Sequence, residues 1–403
     1  MNKYIIILEQ VIVSLSNFIL AILLARLLGV EGFGSFSVIW LIILLINSLH
    51  QAVIVLPLMS FDESIRNEAG YRDRLYQLQI FFLLFSLLIF TAAYFSLGVF
   101  VPLMASLYLP SLVVMVFYHM HDYFRRLLFL DKKTNLVVFS SIVAYMSRYV
   151  FIGAWIFAGK MITLDAVFWS IALSFGLGVL VASAKYQIFS RIDLCSIRRA
   201  FRLHWKTSKW LIPSGLMQWT SINFYILLAA TILSPVAVAA IRVGQNLTQV
   251  VNVFLLAGEN YFPLIASDIY QQRGLSGCIH YLLKVSLVFI GFILSASPVV
   301  VIYRNELVDL IYGDEYVQFS YVLLFYMLIT ILMVIMMSVR ILFRVIGSTR
   351  PWFYGYMGSS LLTLFFSFPL VNNFGVKGAL VGMIVSQFVL LLVSLWNGKL
   401  KVS

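Results

Sequence analysis

The sequence predicts an all-α polytopic membrane protein with about twelve transmembrane helices in two six-helix lobes. Hydrophobic residues make up 62% of the 403 positions and charged residues only 11%, whereas soluble domains are roughly half apolar and about a quarter charged. Because a hydrocarbon core about 30 Å thick requires about 20 apolar residues per helix, most of the chain must lie in lipid. The net charge of +12 falls in the polar gaps, where it suits anionic lipid headgroups better than nucleic acid.

Twelve apolar runs divide the chain into predicted spans. They lie near residues 4–28, 35–59, 77–100, 103–123, 135–158, 163–184, 210–233, 236–258, 283–303, 317–339, 352–371 and 375–396. Residues 185–209 form the longest polar segment, and basic and apolar residues alternate there at helical spacing, which predicts an amphipathic linker on the inner membrane surface. We therefore expect an N-terminal lobe at 1–184, this linker, and a C-terminal lobe at 210–403.

The basic residues predict the orientation of these spans. Of the 28 Lys and Arg residues, 22 lie at the termini, in alternate gaps or at the span ends beside those gaps. Four lie in the other gaps or at the span ends beside them, and Arg148 and Arg242 lie well inside spans. Lys and Arg near span ends are retained in the cytoplasm. The pattern predicts a multi-pass protein of a bacterial inner membrane with both termini cytoplasmic.

A weak internal repeat relates the two predicted lobes. Gln10 lies near the start of the first span and Gln218 near that of the seventh, while Pro57 closes the second span and Pro263 follows the eighth at nearly the same offset. Because each repeat holds an even number of spans, both halves have the same orientation in the membrane. Two such lobes are expected to enclose a central cavity.

Arg148 and Arg242 are the first candidates for a substrate-binding site. Ionisable side chains are costly in hydrocarbon and usually face protein or a water-filled cavity, and a guanidinium group suits phosphate oxygens. The alternative is a buried ion pair with Glu9, Asp122 or Glu259. Glu9 and Glu259 lie toward the inner ends of their spans, where they meet water, form ion pairs or couple transport to protons.

Uncharged polar residues on the first, seventh and eighth spans are further candidates for the substrate cavity. They are Gln10, Asn17, Gln218, Gln245, Gln249 and Asn252. Spacings of three and four residues between polar side chains place them on one face of each helix. Such stripes either line a hydrated cavity or form hydrogen bonds between helices, and both interpretations stay open at this point.

The motifs of several other chemistries do not occur in the sequence. It contains no Gly-rich phosphate loop, zinc motif or nucleophile elbow, and we expect neither a cofactor nor a metal. Cys195 and Cys278 both fall in predicted cytoplasmic gaps, so a disulfide is not expected. His119 and His121 precede Asp122 at the inner end of the fourth span, which predicts a polar cluster at the membrane interface.

Four segments spread along the chain resemble a known family. They are QVIVSLSN at 10–17, ARLLGVEGFG at 25–34, YGDEY at 312–316 and NFGVKGALVG at 373–382. Together they resemble the polysaccharide-biosynthesis membrane proteins, the O-antigen and capsule repeat-unit flippases of the multidrug/oligosaccharidyl-lipid/polysaccharide (MOP) exporter superfamily. Each motif is degenerate, and their order along the chain supplies the specificity.

The resemblance implies a MATE-like, V-shaped bundle of two lobes around a central cavity. It also implies a flippase that moves undecaprenyl-pyrophosphate-linked oligosaccharide repeat units of O-antigen, capsule or exopolysaccharide from the cytoplasmic to the outer leaflet by alternating access. The implied partners are this substrate, membrane lipids, and a polysaccharide polymerase with its chain-length regulator, but no nucleic acid. Many relatives carry an Asp in the seventh helix where this chain has Asn223, so a coupling that depends on that acid is not expected.

Two other functions compete with the flippase interpretation. A MATE-like multidrug or metabolite antiporter shares the architecture, but it would need an acidic cluster deep in one lobe, and the spans carry few acids. A membrane-embedded glycan polymerase or glycosyltransferase would need a substantial catalytic loop. The predicted outside gaps are short, and the long inside gap is basic without paired carboxylates.

Overall fold

The computed structural model describes residues 3–68, 70–101, 106–186, 193–348 and 350–399, and these residues form helices without any strand. In chain order the helices are α1 (3–28), α2 (30–60), α3 (Glu63–Arg66), α4 (Tyr71–Gly98), α5 (Tyr108–Leu130), α6 (Thr134–Phe157), α7 (Leu164–Ser183), α8 (Leu194–Leu228), α9 (235–273), α10 (275–302), α11 (Arg304–Tyr312), α12 (Val322–Val345), α13 (350–374) and α14 (376–399). All except α3 and α11 are long enough to cross a bilayer. The predicted all-α polytopic fold is confirmed for the described part of the chain, in which eight helical stretches, some of them made of two joined helices, are long and apolar enough to cross a membrane.

Three pairs of consecutive helices are joined by a single glycine. Gly29 separates α1 from α2, Gly274 separates α9 from α10, and Gly375 separates α13 from α14, with φ angles of 66°, 66° and 57°. A positive φ brings Cβ too close to the backbone and costs about 1–2 kcal/mol in residues other than glycine. Each glycine therefore ends one helix and starts the next without a loop.

Several helices extend beyond the apolar runs that predicted them. α5 continues to Leu130 where the prediction ends near 123, and α9 continues to 273 where the prediction ends at 258. Hydropathy marks only the lipid-embedded part of a helix, whereas the helix itself persists wherever its polar side chains find water or partners. Arg125 and Arg126, expected in a gap, are consequently helical residues of α5.

The linker predicted at 185–209 is helical in most of its described part. Its residues 187–192 lie outside the described ranges, and from Leu194 the chain forms α8, which runs on through Pro213 into the seventh predicted span. Asp193 caps this helix by accepting hydrogen bonds from the backbone amides of Cys195 and Ser196 at 3.1 and 2.9 Å. Bonds from the Ser196 side chain and from both amides keep the pKa of the Asp193 carboxyl below its usual value.

The chain divides into two compact units. Unit 1 contains Met1–Leu28 and Ser35–Leu216, and unit 2 contains Gly29–Gly34 and Met217–Ser403. Small residues let helices approach closely within each unit, as in other membrane bundles. A Cβ at Gly178 of α7 would lie 2.6 Å from Ala144 Cβ of α6, and a Cβ at Gly244 of α9 would lie 2.3 Å from the Tyr326 ring of α12. These close approaches fix the helix faces that carry the polar residues described next.

Candidate functional site

Arg148 of α6 is buried inside unit 1, with an exposed fraction of 1%. Its Nη2 donates hydrogen bonds to Ser16 Oγ at 2.6 Å and to Asn17 Oδ1 at 3.2 Å, both on α1. The guanidinium carbon lies 5.3 and 5.4 Å from the ring centroids of Tyr145 and Tyr149, within the range of cation–π attraction. The partners of Arg148 are therefore neutral groups.

Helical spacing brings these groups together. Tyr145, Arg148 and Tyr149 recur at intervals of three and four residues, so they share the face of α6 that packs against α1. Ser16 Oγ donates to the Tyr145 carbonyl at 2.8 Å while it accepts from Arg148, and Tyr149 Oη donates to the Ser16 carbonyl. The Ser16 side chain is thus held on both sides, which fixes the position of the guanidinium group.

The nearby carboxylates of unit 1 are occupied by other arginines. Glu9 is buried and accepts hydrogen bonds from Arg125 Nη1 at 2.8 Å and from Ser141 Oγ at 2.7 Å. Asp122 accepts from Arg125 Nη2 at 2.8 Å, and its Oδ1 lies 3.4 Å from Arg126 Nε. Arg125 therefore pairs closely with both carboxylates, and Arg126 makes only the longer contact to Asp122.

The ion-pair alternative for Arg148 does not match this arrangement. No ion pair formed by the described residues includes Arg148, and its buried Nε has no hydrogen-bond partner there. An unpaired buried charge carries a large desolvation cost. Arg148 is thus a cation without a counter-ion in the described part of the chain, beside the exposed Asn17.

The histidine cluster expected at the interface is buried instead. His119 and His121 are almost inaccessible because α5 continues past them into the protein. His119 Nδ1 hydrogen-bonds the Met115 carbonyl at 2.7 Å, and its ring packs edge-on against that of His50. His50 Nε2 lies 2.8 Å from Gln79 Oε1, and its Nδ1 lies 3.8 Å from Asp122 Oδ2. These histidines therefore belong to the interior of unit 1.

Unit 2 contains a cavity of about 370 Å³, within the usual size range of small-molecule sites. Of the predicted residues, Gln218, Gln245, Asn252 and Glu259 line it. Its other lining residues include Tyr326, Arg340, Tyr356, Gln387, Met333, Met336, Met337 and Met383. Several side-chain amides and two phenol groups thus meet in one partly apolar space.

The charged residues of this cavity form a pair. Glu259 Oε1 lies 2.9 Å from Arg340 Nη1, and the Glu259 carbonyl accepts a hydrogen bond from Arg344 Nη1 at 3.2 Å. The Arg340 guanidinium also lies 5.2 Å from the Trp352 ring centroid. Arg340 and Arg344 were expected in a gap, and α12 extends far enough to include both.

Arg242 and Gln249 lie outside the lining of the unit 2 cavity. Arg242 is buried behind the wall and donates a hydrogen bond from Nη1 to Gln245 Oε1, while its buried Nη2 has no hydrogen-bond partner among the described residues. Gln249 is partly buried on the same helix. Arg242 therefore positions Gln245, and Glu259 pairs with Arg340 instead of with Arg242.

Gln10 and Asn17 are exposed on α1, on the face adjacent to the one that carries the buried Glu9 and Ser16. Gln10 Nε2 donates to Ser14 Oγ at 3.5 Å. The structure thus brings Asn17 together with Arg148 in unit 1, and Gln218, Gln245 and Asn252 together in unit 2. Sequence reasoning missed Arg125 and Arg340, whose only signal was their position just beyond an apolar run.

The described residues contain no group of three His, Cys, Asp or Glu side chains that could hold a metal ion. A buried guanidinium favours an anion such as a phosphate group, and the amides of the unit 2 cavity both donate and accept hydrogen bonds. Hydroxyl-rich or phosphorylated molecules match these two groups of residues.

The fold is similar to those of several solved membrane transporters. An inward-facing multidrug-resistance MATE transporter of the MOP superfamily is 14% identical, with coverage of 96% of this chain and 94% of that chain and a TM-score of 0.68. The lipid II flippase MurJ in an inward closed conformation is 11% identical, with coverage of 97% and 87% and a TM-score of 0.70. The Vibrio cholerae MATE transporter VcmN is 17% identical, with coverage of 99% and 96% and a TM-score of 0.59.

Sequence comparison alone finds no such relatives: no protein-family model matches the chain, and no curated protein matches it. The structural similarity nevertheless extends over nearly the whole chain and covers both MATE transporters and MurJ. The chain is therefore a multi-pass, all-α membrane protein with the fold that MATE transporters and MurJ share.

Proposed function

We propose that the protein is a transporter of the flippase type. Its proposed substrates are undecaprenyl-pyrophosphate-linked oligosaccharide repeat units of O-antigen, capsule or exopolysaccharide. It moves them by alternating access from the cytoplasmic to the outer leaflet of a bacterial inner membrane. The fold shared with MATE transporters and MurJ and the resemblance of the four sequence segments both support this assignment.

The proposal depends mainly on the buried Arg148 guanidinium, which has no carboxylate partner among the described residues. A polar headgroup cannot cross hydrocarbon unaided, because its sugars and phosphates would lose their hydrogen bonds to water. The Arg148 guanidinium is fixed by Ser16, has no carboxylate partner among the described residues, and contacts the exposed Asn17. It therefore retains its attraction for a substrate phosphate, which a salt-bridged arginine would lose.

The side chains that line the unit 2 cavity are suited to bind sugar hydroxyl groups. Gln218, Gln245, Asn252 and Gln387 surround it with side-chain amides, and amides hydrogen-bond hydroxyl groups in both directions. Arg242 assists by holding Gln245 in place. We infer that Arg148 binds phosphate within unit 1, that the unit 2 cavity by itself accepts hydroxyl groups, and that Glu9 and Glu259 form ion pairs.

Surface glycan display tests the assignment in a bacterium that depends on this chain. Deletion of the gene is expected to abolish display and to cause lipid-linked repeat units to accumulate in the inner leaflet. Arg148→Ala is expected to reduce display at least about tenfold, because a hydrogen bond to a charged group contributes about 1.5–3 kcal/mol. Arg242→Ala is expected to have a smaller effect.

Arg198→Ala is the matched control, because Arg198 is an exposed arginine on α8 and its loss changes the net charge equally. Immunoblotting checks that each variant is present in equal amount. If Arg148→Ala is poorly expressed, Arg148→Lys replaces it, because lysine retains the positive charge but not the guanidinium geometry. Full display with both Arg148→Ala and Arg242→Ala at normal protein levels would contradict the site assignment.

Export of an apolar cation, as by a multidrug antiporter, is the second candidate function. The four methionines, two tyrosines and Glu259 of the unit 2 cavity favour it, because thioether, aromatic and carboxylate groups attract such cations. However, Arg340 at 2.9 Å neutralises Glu259, so we prefer the flippase. Protection of a drug-sensitive strain by this chain, without any effect on glycan display, would reverse that preference.

A further inference from the structure

A second large cavity lies in unit 1, away from Arg148. Its volume is about 490 Å³, and it opens where the chain turns between α2 and α4 and again between α5 and α6. Both turns belong to the basic gaps that the charge pattern assigns to the cytoplasmic side. The cavity therefore lies at the end of unit 1 that the charge pattern places next to the inner leaflet.

Cationic side chains outnumber carboxylates in the lining of this cavity. Arg66, Arg72, Arg126 and Lys132 face only Glu63 and Asp131. The Asp131 carboxylate already has partners. It accepts hydrogen bonds from Arg72 Nη2 and Nη1 at 2.7 and 3.2 Å and from Tyr186 Oη at 2.9 Å.

Two of the remaining cations also have unused hydrogen-bond donors. The buried Nε atoms of Arg66 and Arg126 have no hydrogen-bond partner among the described residues. The carboxylate next to Arg126, that of Asp122, is shared with Arg125 at a shorter distance, 2.8 Å against 3.4 Å. Arg66, Arg126 and Lys132 thus form a cationic group with spare donors, which suits a phosphate.

Lys132 supports this interpretation through its backbone. It is the only non-glycine residue of the described chain with a positive φ, at 57°, a conformation that glycine and asparagine adopt at lower cost. Nothing in the local fold requires a lysine side chain there. Lys132 thus adds a cation to the lining of the cavity at a position that its backbone conformation does not favour.

The apolar walls indicate the source of the phosphate. Met59, Phe129 and Leu130 line the cavity beside the cations and are at least partly exposed, and a free phosphate ion gains nothing from such surfaces. A phospholipid presents a charged headgroup next to an apolar glycerol and acyl region. Basic pockets between transmembrane helices on the cytoplasmic side are typical sites for anionic lipid headgroups.

We propose that this cavity binds the phosphate headgroup of an anionic membrane phospholipid, held by Arg66, Arg126 and Lys132. The proposal is independent of the flippase assignment, because Arg148 does not line this cavity. Its failure would therefore leave the substrate assignment unchanged.

Lipid-dependent thermal unfolding of the purified full-length protein tests the proposal. The protein is titrated in detergent with phosphatidylglycerol, with phosphatidylcholine, and with inorganic phosphate, and native mass spectrometry counts the lipids bound. Phosphatidylglycerol is expected to raise the unfolding temperature and to remain bound, whereas phosphatidylcholine and phosphate are not. Equal effects of the two lipids would overturn the proposal, and stabilisation by phosphate alone would assign the cavity to a free anion.

Lys132→Asn separates ligand binding from folding. Asparagine tolerates the positive φ, so the lipid-free unfolding temperature should be unchanged or higher, while the apparent affinity for phosphatidylglycerol should fall about fivefold. Arg66→Gln should lower the affinity similarly and replaces Lys132→Asn if that variant does not fold. Lys206→Asn removes an exposed lysine of α8 outside the cavity, and an equal loss of affinity in that control would overturn the proposal.

Discussion

Arg148 and Arg125 lie in the same unit but have opposite surroundings. Arg125 joins two carboxylates, those of Glu9 and Asp122, at 2.8 Å each, whereas Arg148 contacts hydroxyl, amide and aromatic groups. Buried ion pairs fix a structure but add little net stability, because desolvation offsets their attraction. The paired arginine is therefore structural, whereas Arg148 has no carboxylate partner among the described residues, as the proposed phosphate contact requires.

Removal of one member of the buried network should be strongly destabilising. Asp122→Asn leaves Arg125 with one carboxylate and Arg126 with none, so we expect a loss of about 3 kcal/mol in the free energy of unfolding. Glu68→Gln is the matched control, because Glu68 also pairs with an arginine, Arg74, but its side chain is 55% exposed. Exposed ion pairs contribute only about 0–1 kcal/mol to stability. Denaturant titration in mixed micelles measures both values, and equal losses would contradict the structural role of the network.

The sequence predicts these residues unevenly. Arg148 stands out because it lies in the middle of an apolar run, where a charge is rare. Arg125 gave no such signal, because its position just beyond an apolar run is where any cytoplasmic arginine would lie. Its partner Glu9 is 116 positions away in the sequence, and hydropathy carries no information about which distant helices meet.

At the scale of the helices, single glycines replace loops at three junctions. Gly375 has a φ of 57° and no atoms within 4 Å of where a Cβ would be, so only its backbone conformation requires glycine. Gly153 of α6 has equally open surroundings but helical backbone angles. A comparison of the two positions therefore tests the effect of backbone conformation alone, since neither substitution changes packing.

Alanine substitutions at these two glycines should have opposite effects on stability. Gly375→Ala is expected to destabilise the protein by about 1–2 kcal/mol, because a Cβ disfavours the positive φ. Gly153→Ala is expected to stabilise it by about 0.5–1 kcal/mol, because alanine is the better helix former. Thermal unfolding in detergent measures both changes, and effects of the same sign would contradict the assigned turn at Gly375.

The number and order of helices were predictable, but their ends were not. A window of apolar residues locates each lipid-embedded segment because desolvated backbone must form helix there. It cannot locate the polar ends of α5, α9 and α12, which persist because residues such as Arg125 and Arg340 find partners. For the same reason, hydropathy did not predict that Glu259 and Arg340 line the unit 2 cavity as a pair.

For the whole molecule, the charge pattern predicts which side of the membrane each turn occupies. The two cysteines allow a direct test without engineered reporters, because Cys195 is exposed near the start of α8 and Cys278 is buried. A membrane-impermeant maleimide should label the protein in inverted membrane vesicles and not in intact spheroplasts, since Cys195 lies in the basic linker.

Single-cysteine variants complete the labelling experiment. Cys278→Ser should retain the labelling of the unmodified protein, and Cys195→Ser should abolish it. Strong labelling of Cys195 in intact spheroplasts would place the linker outside the cell and would reverse the predicted orientation of every span.

The Gly375 junction also constrains how the protein is made. With one residue between α13 and α14, the first helix cannot finish crossing the membrane and wait in place while a loop is synthesised. We therefore expect both helices to leave the insertion machinery together as a hairpin. Lys377 lies two residues beyond the turn and 5.5 Å from the Tyr321 ring centroid. In the predicted orientation it crosses with that hairpin, despite the cost of moving a charge through hydrocarbon. We therefore expect the insertion of α13 and α14 to depend on a glycine whose backbone conformation is its special property.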